Sequence, residues 1–112
     1  MIEYLLVMGS NNSKAAILEE ILKIEDEIRR IKKDSTYLSI RRNLRNLESI
    51  GFGNPTLTIP SPDDLDVHMM VPRRSSEMKD IISRYRERRS EYEDRISRLF
   101  GRRKRLEEEL FG

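Results

Sequence analysis

Apolar side chains recur at helical spacing through much of the chain, so the sequence predicts a mostly helical protein. Isoleucines stand three or four residues apart from Ile17 to Ile31, and residues at that spacing share one face of an α-helix. This segment is either one long helix or two short helices that meet near residues 23–25. The apolar run at residues 2–8 is too short to distinguish a strand from a helix, and residues 9–13 predict a turn.

A second helix is expected to begin at Asp34 or Ser35, because either side chain can cap a first helical turn. Its apolar positions keep the same spacing and are Ile40, Leu44 and Leu47. Polar and basic side chains fill most of the remaining positions, as they do on the solvent-facing side of an amphipathic helix. The helix is therefore expected to bury one face and to end near residue 50.

Alternation of apolar and polar residues predicts two β-strands after this helix. Residues 56–59 and 65–71 alternate with period two, and residues 60–64 between them are rich in Pro and Asp. Successive side chains of a strand point to opposite faces. One face would therefore carry Leu57 and Ile59 of the first strand, and the apolar residues of the second strand, Leu65, Val67, Met69 and Val71, would likewise share a face. The segment predicts an antiparallel hairpin.

A heptad pattern of mostly apolar residues follows the hairpin, with Ser75 or Ser76 as the expected N-cap of the helix. The seam positions are Met78, Ile82, Tyr85, Arg89, Tyr92, Ile96, Leu99, Arg103, Leu106 and Leu110. The two arginines weaken such a seam but can fix its register. A single exposed helix of this length is not stable in water, so the pattern predicts a coiled coil between two copies of the chain.

These elements predict a fold class and a domain division. The fold is mostly α, within the α+β class, with a two-stranded hairpin and a long C-terminal coiled-coil helix. Residues 1–74 would form one domain, and residues 75–112 would form a dimerisation helix. A chain of 112 residues, of which 38% are charged, offers little apolar surface for a larger core.

The distribution of charge along the chain is more informative than the net charge of +2. The charged residues of 19–27 are acidic except for Lys23, and those of 29–45 are basic except for Asp34. This separation creates a local positive field, although two solvated faces are the simpler interpretation. The chain has no Cys, which excludes disulfides and thiolate metal sites. No apolar run approaches the roughly 20 residues that span a bilayer. We expect a cytoplasmic protein without a membrane segment, a metal site or a cofactor.

The second helix carries side chains suited to reading DNA. Arg can form two hydrogen bonds with guanine and Asn with adenine, while Ser and Thr hydroxyls serve base edges or phosphates. The candidate contacts on this helix are Thr36, Ser39, Arg41, Arg42, Asn43 and Arg45. Basic residues outside the helix and hairpin that suit phosphate contacts are Lys32, Lys33, Arg73 and Arg74. The alternative is ordinary solvated charge on a helix face and at the ends of elements.

Residues 14–71 resemble the winged helix-turn-helix regulators of the ArsR and MarR kind. The matching features are Ile17-Leu18, Glu27-Ile28 with Ile31, residues 40–52 and the hairpin that follows. The most specific part is the spacing of Leu44, Leu47, Glu48, Gly51 and Phe52. The resemblance implies that the helix at residues 35–50 enters the major groove, that the wing contacts the flanking backbone, and that a terminal helix pairs two subunits.

Two features depart from that family. The interval between Ile17-Leu18 and Glu27-Ile28 is shorter than usual, so either the first two helices are fused or residues 2–8 supply the first helix. The turn of the hairpin carries Asp63 and Asp64, where a wing that contacts phosphates is normally basic. These carboxylates would repel the DNA backbone unless they point away from it.

The sequence leads to one main hypothesis and two alternatives. The main hypothesis is a homodimer that binds double-stranded DNA with sequence specificity, as a transcriptional regulator without enzymatic activity. One alternative is a scaffold in which the same parts serve only protein assembly. The other is a nucleotidyltransferase, whose Gly-Ser turn and metal-binding carboxylate pair would fall on Gly9-Ser10 and Asp64-x-Asp66. No Ser/His/Asp or Cys/His set stands out, so no catalytic residue is predicted.

Overall fold

The computed structural model describes residues 2–49 and 56–111, with side chains from residue 13 onward. Within these ranges the elements are helix α1 (Ile2–Lys33), helix α2 (Ser35–Glu48), strands β1 (Thr56–Pro60) and β2 (His68–Pro72), and helix α3 (Ser76–Phe111). The prediction of a mostly helical α+β chain with one antiparallel hairpin is confirmed. Residues 51–52, which carry part of the family resemblance, lie outside the described residues. No helix in the described ranges is long and apolar enough to cross a membrane.

Helix α1 is continuous. Residues 2–8 belong to it, the turn predicted at residues 9–13 is wrong, and the helix does not break near residues 23–25. Gly and Asn inside a helix cost up to about 1 kcal/mol relative to Ala, but neither clashes with the preceding turn as Pro does. Each added helical residue also gains a backbone hydrogen bond. A weak local preference for a turn is therefore overcome.

The chain divides into two compact units, a terminal unit of Met1–Ile31 with Arg95–Gly112 and a central unit of Lys32–Asp94. In the terminal unit, α1 and the end of α3 run antiparallel. Ion pairs join the two helices at Glu27–Arg95 (3.9 Å), Glu25–Arg103 (3.7 Å) and Glu20–Arg102. The buried apolar stripe of α1 is Ile21, Ile24, Ile28 and Ile31. Exposed ion pairs contribute about 0–1 kcal/mol each, so burial of this stripe contributes more to stability.

The core of the central unit joins α2, both strands and residues 76–94 of α3. Its buried members are Ile40, Leu44, Ile59, Val71, Met78 and Tyr85. Ile40, Leu44 and Tyr85 are at most 1% exposed, so the predicted apolar face of α2 is confirmed at Ile40 and Leu44. Tyr37 is also buried and its ring stacks on Tyr92, with 5.0 Å between ring centroids.

The hairpin packs the predicted apolar positions of the two strands at residues 57, 59, 69 and 71, but its second strand begins later than predicted. Leu65 and Val67, predicted for the same face, lie outside β2, and Val67 is 51% exposed. Leu57 pairs with Val71 and Ile59 with Met69, and these side chains pack in or against the core. The predicted start of the second strand at residue 65 is wrong, since β2 begins at His68. The two N–H groups that precede β2 bond within the turn: the Asp64 side chain accepts from the Asp66 N–H at 3.1 Å, and the Asp64 carbonyl accepts from the Val67 N–H at 3.0 Å. The Val67 carbonyl, by contrast, bonds across the hairpin, accepting from the Ser61 N–H at 2.7 Å.

Two side-chain caps fix where α2 and α3 begin. The Asp34 carboxylate accepts from the Tyr37 N–H at 3.0 Å, and the Ser75 hydroxyl accepts from the Met78 N–H at 3.1 Å. The Ser75 hydroxyl also donates to the Pro72 carbonyl at 2.6 Å. Asp34 therefore caps α2 and Ser75 caps α3, which are in each case the first of the two cap residues predicted. Arg74, directly before Ser75, has φ of 59°, a left-handed conformation that is unusual for a residue with a Cβ.

Much of the heptad seam of α3 packs against residues of the same chain. Met78 and Tyr85 are buried in the core of the central unit, and Ile82 and Tyr92 pack against that core. In the terminal unit, Arg103 pairs with Glu25 of α1. The prediction that the whole seam faces a second copy is corrected, because Met78 and Tyr85 have no surface left to offer. The boundaries of the two compact units also differ from the domain boundary predicted at residue 74.

Candidate functional site

Helix α2 has one buried face and one exposed face, and the exposed face is the candidate functional surface. Tyr37, Ile40 and Leu44 are its buried residues. At about 100° per residue, the opposite side of the helix carries Ser35, Leu38, Arg42, Arg45, Asn46 and Ser49, which we call the outer face of α2. All six residues are exposed. Because the buried residues hold the helix against the core, this surface has a fixed orientation within the central unit.

The structure places only part of the predicted contact set on the outer face. Arg42 lies there, Arg45 lies at its edge, and Arg41 lies on the adjoining flank of α2 that faces α3. A groove of about 240 Å³ separates α2 from α3 on that flank, and its lining includes Arg41, Arg45 and Arg89. The acidic residues Glu48 and Glu93 line the same groove, so it is not a purely cationic pocket.

The remaining predicted residues lie on the other flank of α2. Thr36 and Ser39 are half-buried and line a cleft of about 370 Å³ beside the connection between β1 and β2. The acidic lining of this cleft is Asp63, Asp64 and Asp66. Carboxylates at that density oppose a phosphate group. Thr36 and Ser39 are therefore poorly placed for phosphate contact.

Asn43 is held inside the central unit. Its side-chain N–H donates to the Tyr85 hydroxyl at 3.4 Å, and that hydroxyl donates to the Pro60 carbonyl at 2.5 Å. The chain of bonds joins α2, α3 and β1 through one buried phenol. Burial raises the pKa of Tyr85, while the hydrogen bond from Asn43 acts in the opposite direction. Asn43 is thus engaged in the fold and is not presented as a free amide.

Replacing Tyr85 by Phe should lower the free energy of unfolding by about 1–3 kcal/mol, because the Pro60 carbonyl and Asn43 lose their shared partner. Tyr92→Phe is the matched control, since its hydroxyl bonds to no residue that the structure describes, and we expect it to change stability by less than about 0.5 kcal/mol. Urea denaturation at neutral pH measures both values. Equal effects of the two changes would contradict this role for Tyr85.

The same buried phenol predicts a pH dependence. Its pKa is raised in the folded state from an ordinary value of 10.0. The unfolded chain therefore ionises first, so the stabilisation by Tyr85 is complete below about pH 10 and is lost as the pH rises through the folded pKa. The stability difference between the wild type and Tyr85→Phe should shrink over that range.

The arginines of α2 differ from those of α3 in their partners. Arg41, Arg42 and Arg45 form no ion pair with any residue in the described ranges. Most arginines of α3 are instead paired with carboxylates, as in Arg84–Asp63 (2.7 Å), Arg86–Glu48 (3.1 Å), Arg89–Glu93 (3.4 Å) and Arg102–Glu20. Arg105 is an exception, since it is exposed and forms no ion pair among the described residues. The closest polar contact of Arg42 is a 3.5 Å bond to Ser39, and the Arg41 guanidinium lies 5.5 Å from the centre of the Tyr37 ring. Helix α2 therefore carries three arginines that form no ion pair among the described residues, within five positions of one another.

The four residues predicted for phosphate contacts lie at the ends of helices. Lys32 and Lys33 are exposed at the end of α1, immediately before α2 begins. Arg73 is half-buried and Arg74 is exposed in the turn that leads into α3. The cap formed by Ser75 holds that turn in place.

The acidic hairpin turn forms an ion pair with α3 within the central unit. Asp63 accepts from Arg84 Nε at 2.7 Å, and Arg84 also donates to Glu87 at 2.8 Å. Hydrogen bonds to Glu87 and Asp63 raise the pKa of Arg84 above its usual value. The charge of Asp63 is therefore partly compensated, and its repulsion of a nearby anion is weakened.

Sequence reasoning missed four residues of the outer face: Ser35, Leu38, Asn46 and Ser49. They follow from the helical period once the buried positions are known; for example, Leu38 is two residues before Ile40 and Asn46 is two after Leu44. For the nucleotidyltransferase hypothesis, Gly9-Ser10 lies within α1, so the turn that this hypothesis requires is not formed. Asp64 and Asp66 are exposed, and no three potential ligand side chains converge among the residues described.

Comparison of the chain with family models, with curated proteins and with solved structures found no match. The function is therefore argued from the geometry and charge of the outer face of α2.

Proposed function

We propose that this protein binds double-stranded DNA through the outer face of α2, as a winged helix in which β1 and β2 form the wing. The observation that carries the proposal is that none of the three arginines of α2 forms an ion pair among the described residues, whereas most arginines of α3 do. Guanidinium groups without a protein partner are available to phosphates and to base edges. A helix face that carries them is suited to a polyanion.

The dimensions and side chains of α2 fit the major groove. An α-helix with its side chains is about 10–12 Å across, and the groove is about 12 Å wide. Arg42 suits guanine and Asn46 suits adenine. These two residues are four positions apart, about 6 Å along the helix axis, which corresponds to about two base-pair steps. In this proposal Asn46 takes the adenine-reading role that the sequence suggested for Asn43.

Lys32 and Lys33 are suited to the phosphates that flank the groove, because they directly precede α2. Arg73 and Arg74 follow the wing and are assigned the same role. Contacts of this kind position the protein and supply most of the salt dependence, without sequence information. The combination predicts sequence-specific binding whose affinity falls with salt.

Replacing both Asp63 and Asp64 by Asn should tighten DNA binding about two- to fivefold at low salt and less at physiological salt. The change removes two carboxylates from the wing and leaves Arg84 with Glu87 as its remaining ion-pair partner. Fluorescence anisotropy with a selected duplex measures the effect. Glu108→Gln with Glu109→Gln is the matched control, since it changes the net charge equally in the terminal unit. A clear loss of affinity would contradict the proposed place of the wing near the duplex.

We propose that two copies pair through the terminal unit, in place of the full α3 seam. Its exposed large apolar side chains are Leu18, Leu22, Phe100 and Phe111. Exposed apolar side chains of this size are typical of protein contacts when they cluster. A dimer with two-fold symmetry also matches two inverted half-sites on DNA.

Replacing Leu22 and Phe111 together by Glu should convert the dimer to a monomer. Both side chains are more than 60% exposed in a single chain, so the fold should survive the change. Light scattering should show a wild-type mass of about twice 13.3 kDa and a variant mass of about 13.3 kDa. Met70→Glu, at an exposed apolar residue of the central unit, should leave the dimer intact. A monomeric wild type would contradict this part of the proposal.

Selection from a pool of random duplexes tests the proposed function itself. The wild-type chain should enrich a defined sequence. Its affinity should fall steeply between about 50 and 200 mM salt, because contacts with phosphates release counterions from DNA. Binding without enrichment would reduce the proposal to non-specific DNA binding. The absence of binding at the lower salt concentration would contradict it.

A further inference from the structure

Leu38 is an apolar residue on an otherwise polar surface. It is 45% exposed and lies on the outer face of α2, one helical turn from both Ser35 and Arg42. The neighbouring residues Tyr37 and Ile40 are buried, whereas the exposed part of Leu38 does not pack in the core of the central unit. That part of the side chain is accessible to a molecule that binds the outer face.

We infer that Leu38 recognises the 5-methyl group of a thymine in the major groove, an inference that rests on the proposed DNA binding. The thymine methyl is the only apolar group that unmodified base pairs present there, and apolar side chains are its usual partners. Leu38 lies four residues before Arg42, about 6 Å along the helix axis. The thymine would therefore lie about two base-pair steps from the guanine read by Arg42.

The chemistry of this contact distinguishes it from the roles of the neighbouring arginines. A guanidinium group that contacts phosphates binds every sequence similarly, and one that contacts guanine reads hydrogen-bond acceptors. Leu38 has no donor or acceptor, so it can discriminate only by burying an apolar group. Removing a single buried methyl should weaken binding about three- to fivefold.

Substitution of deoxyuridine for thymidine, one position at a time in the selected duplex, tests this inference. Deoxyuridine keeps the base pair and removes only the methyl group. For the wild type, one position should show a three- to fivefold loss of affinity. For Leu38→Ala the same position should show no difference, and Leu38→Met should keep most of it. Arg42→Ala should change the neighbouring guanine preference and leave the thymine-to-uracil difference intact.

Three outcomes would overturn the inference. Equal affinities at every position for the wild type, with binding retained, would show that no methyl is read. A difference that persists in Leu38→Ala would assign the methyl contact to another residue. A wild-type chain that binds no duplex would contradict the proposed function and this inference together. The first titration, of the wild type with the unmodified duplex, detects that outcome.

Discussion

Replacing Leu44 by Ala is expected to lower the free energy of unfolding by about 2–5 kcal/mol, the range found for truncating a fully buried leucine. Leu44 is 1% exposed and belongs to the core that α2, the hairpin and α3 share. The loss combines the transfer of its apolar atoms with the cavity that remains. Domains of this size have only about 5–15 kcal/mol of stability in total. The variant should therefore unfold at a clearly lower temperature and urea concentration.

Leu38→Ala provides a matched control for this change. It alters the same residue type on the same helix, but at a position that is 45% exposed. We expect it to change the unfolding free energy by less than about 0.5 kcal/mol, as surface substitutions usually do. Circular dichroism during urea denaturation measures both variants. Equal losses would mean that α2 is rotated about its axis relative to the description given above, and the outer face would then have to be reassigned.

Replacing Arg42 and Arg45 together by Ala is expected to weaken binding to the selected duplex by at least about tenfold. A guanine contact contributes about 1–3 kcal/mol of discrimination, and each phosphate contact adds about one unit to the salt slope. Both arginines are exposed and without an ion pair among the described residues. Ala is the residue most favourable to a helix, so the fold should be retained. Anisotropy titrations at two salt concentrations measure affinity and slope together.

Arg30→Ala is the control for general loss of positive charge. Arg30 is also exposed, but Asp26 lies 2.8 Å from its guanidinium group, so little charge is available to DNA. We expect its effect on affinity to be less than about twofold. If the chain is instead a scaffold without DNA binding, the Arg42/Arg45 variant should keep its assembly and its function. Equal losses for Arg30→Ala and the double variant would show that only net charge matters.

The apolar face of α2 could be predicted from the sequence because local spacing determines it. Ile40 and Leu44 indicate the buried side, and the structure buries both. The error at Asn43 arose because a polar residue was assumed to face solvent. Its amide is instead used by Tyr85, which is 42 residues away in the sequence, and no local pattern predicts that pairing. The outer-face residues Leu38 and Asn46 were missed because the candidate contacts were chosen by side-chain type and not by position around the helix.

The partner of the α3 seam could not be predicted from spacing, because a heptad pattern indicates which face is apolar and not what covers it. Met78 and Tyr85 meet the hairpin and α2 of the same chain. Arg103, assigned to the seam, pairs with Glu25 of α1. The start of β2 was misplaced for a similar reason, since Asp64 takes up the backbone N–H groups of the turn and alternation alone does not reveal such bonds.

The most direct test of the central claim is a cleavage experiment from a single labelled position. Because the chain contains no Cys, Ser35→Cys and Ser83→Cys each provide one attachment site for an iron-chelate reagent that cleaves nearby DNA. Both positions are exposed in the central unit, but Ser35 lies on the outer face of α2, whereas Ser83 lies on the side of α3 opposite the buried Tyr85. The account predicts cleavage of the bound duplex at a few adjacent nucleotides from residue 35, and weaker or no cleavage from residue 83. Cleavage from residue 83 alone, with binding intact, would contradict it.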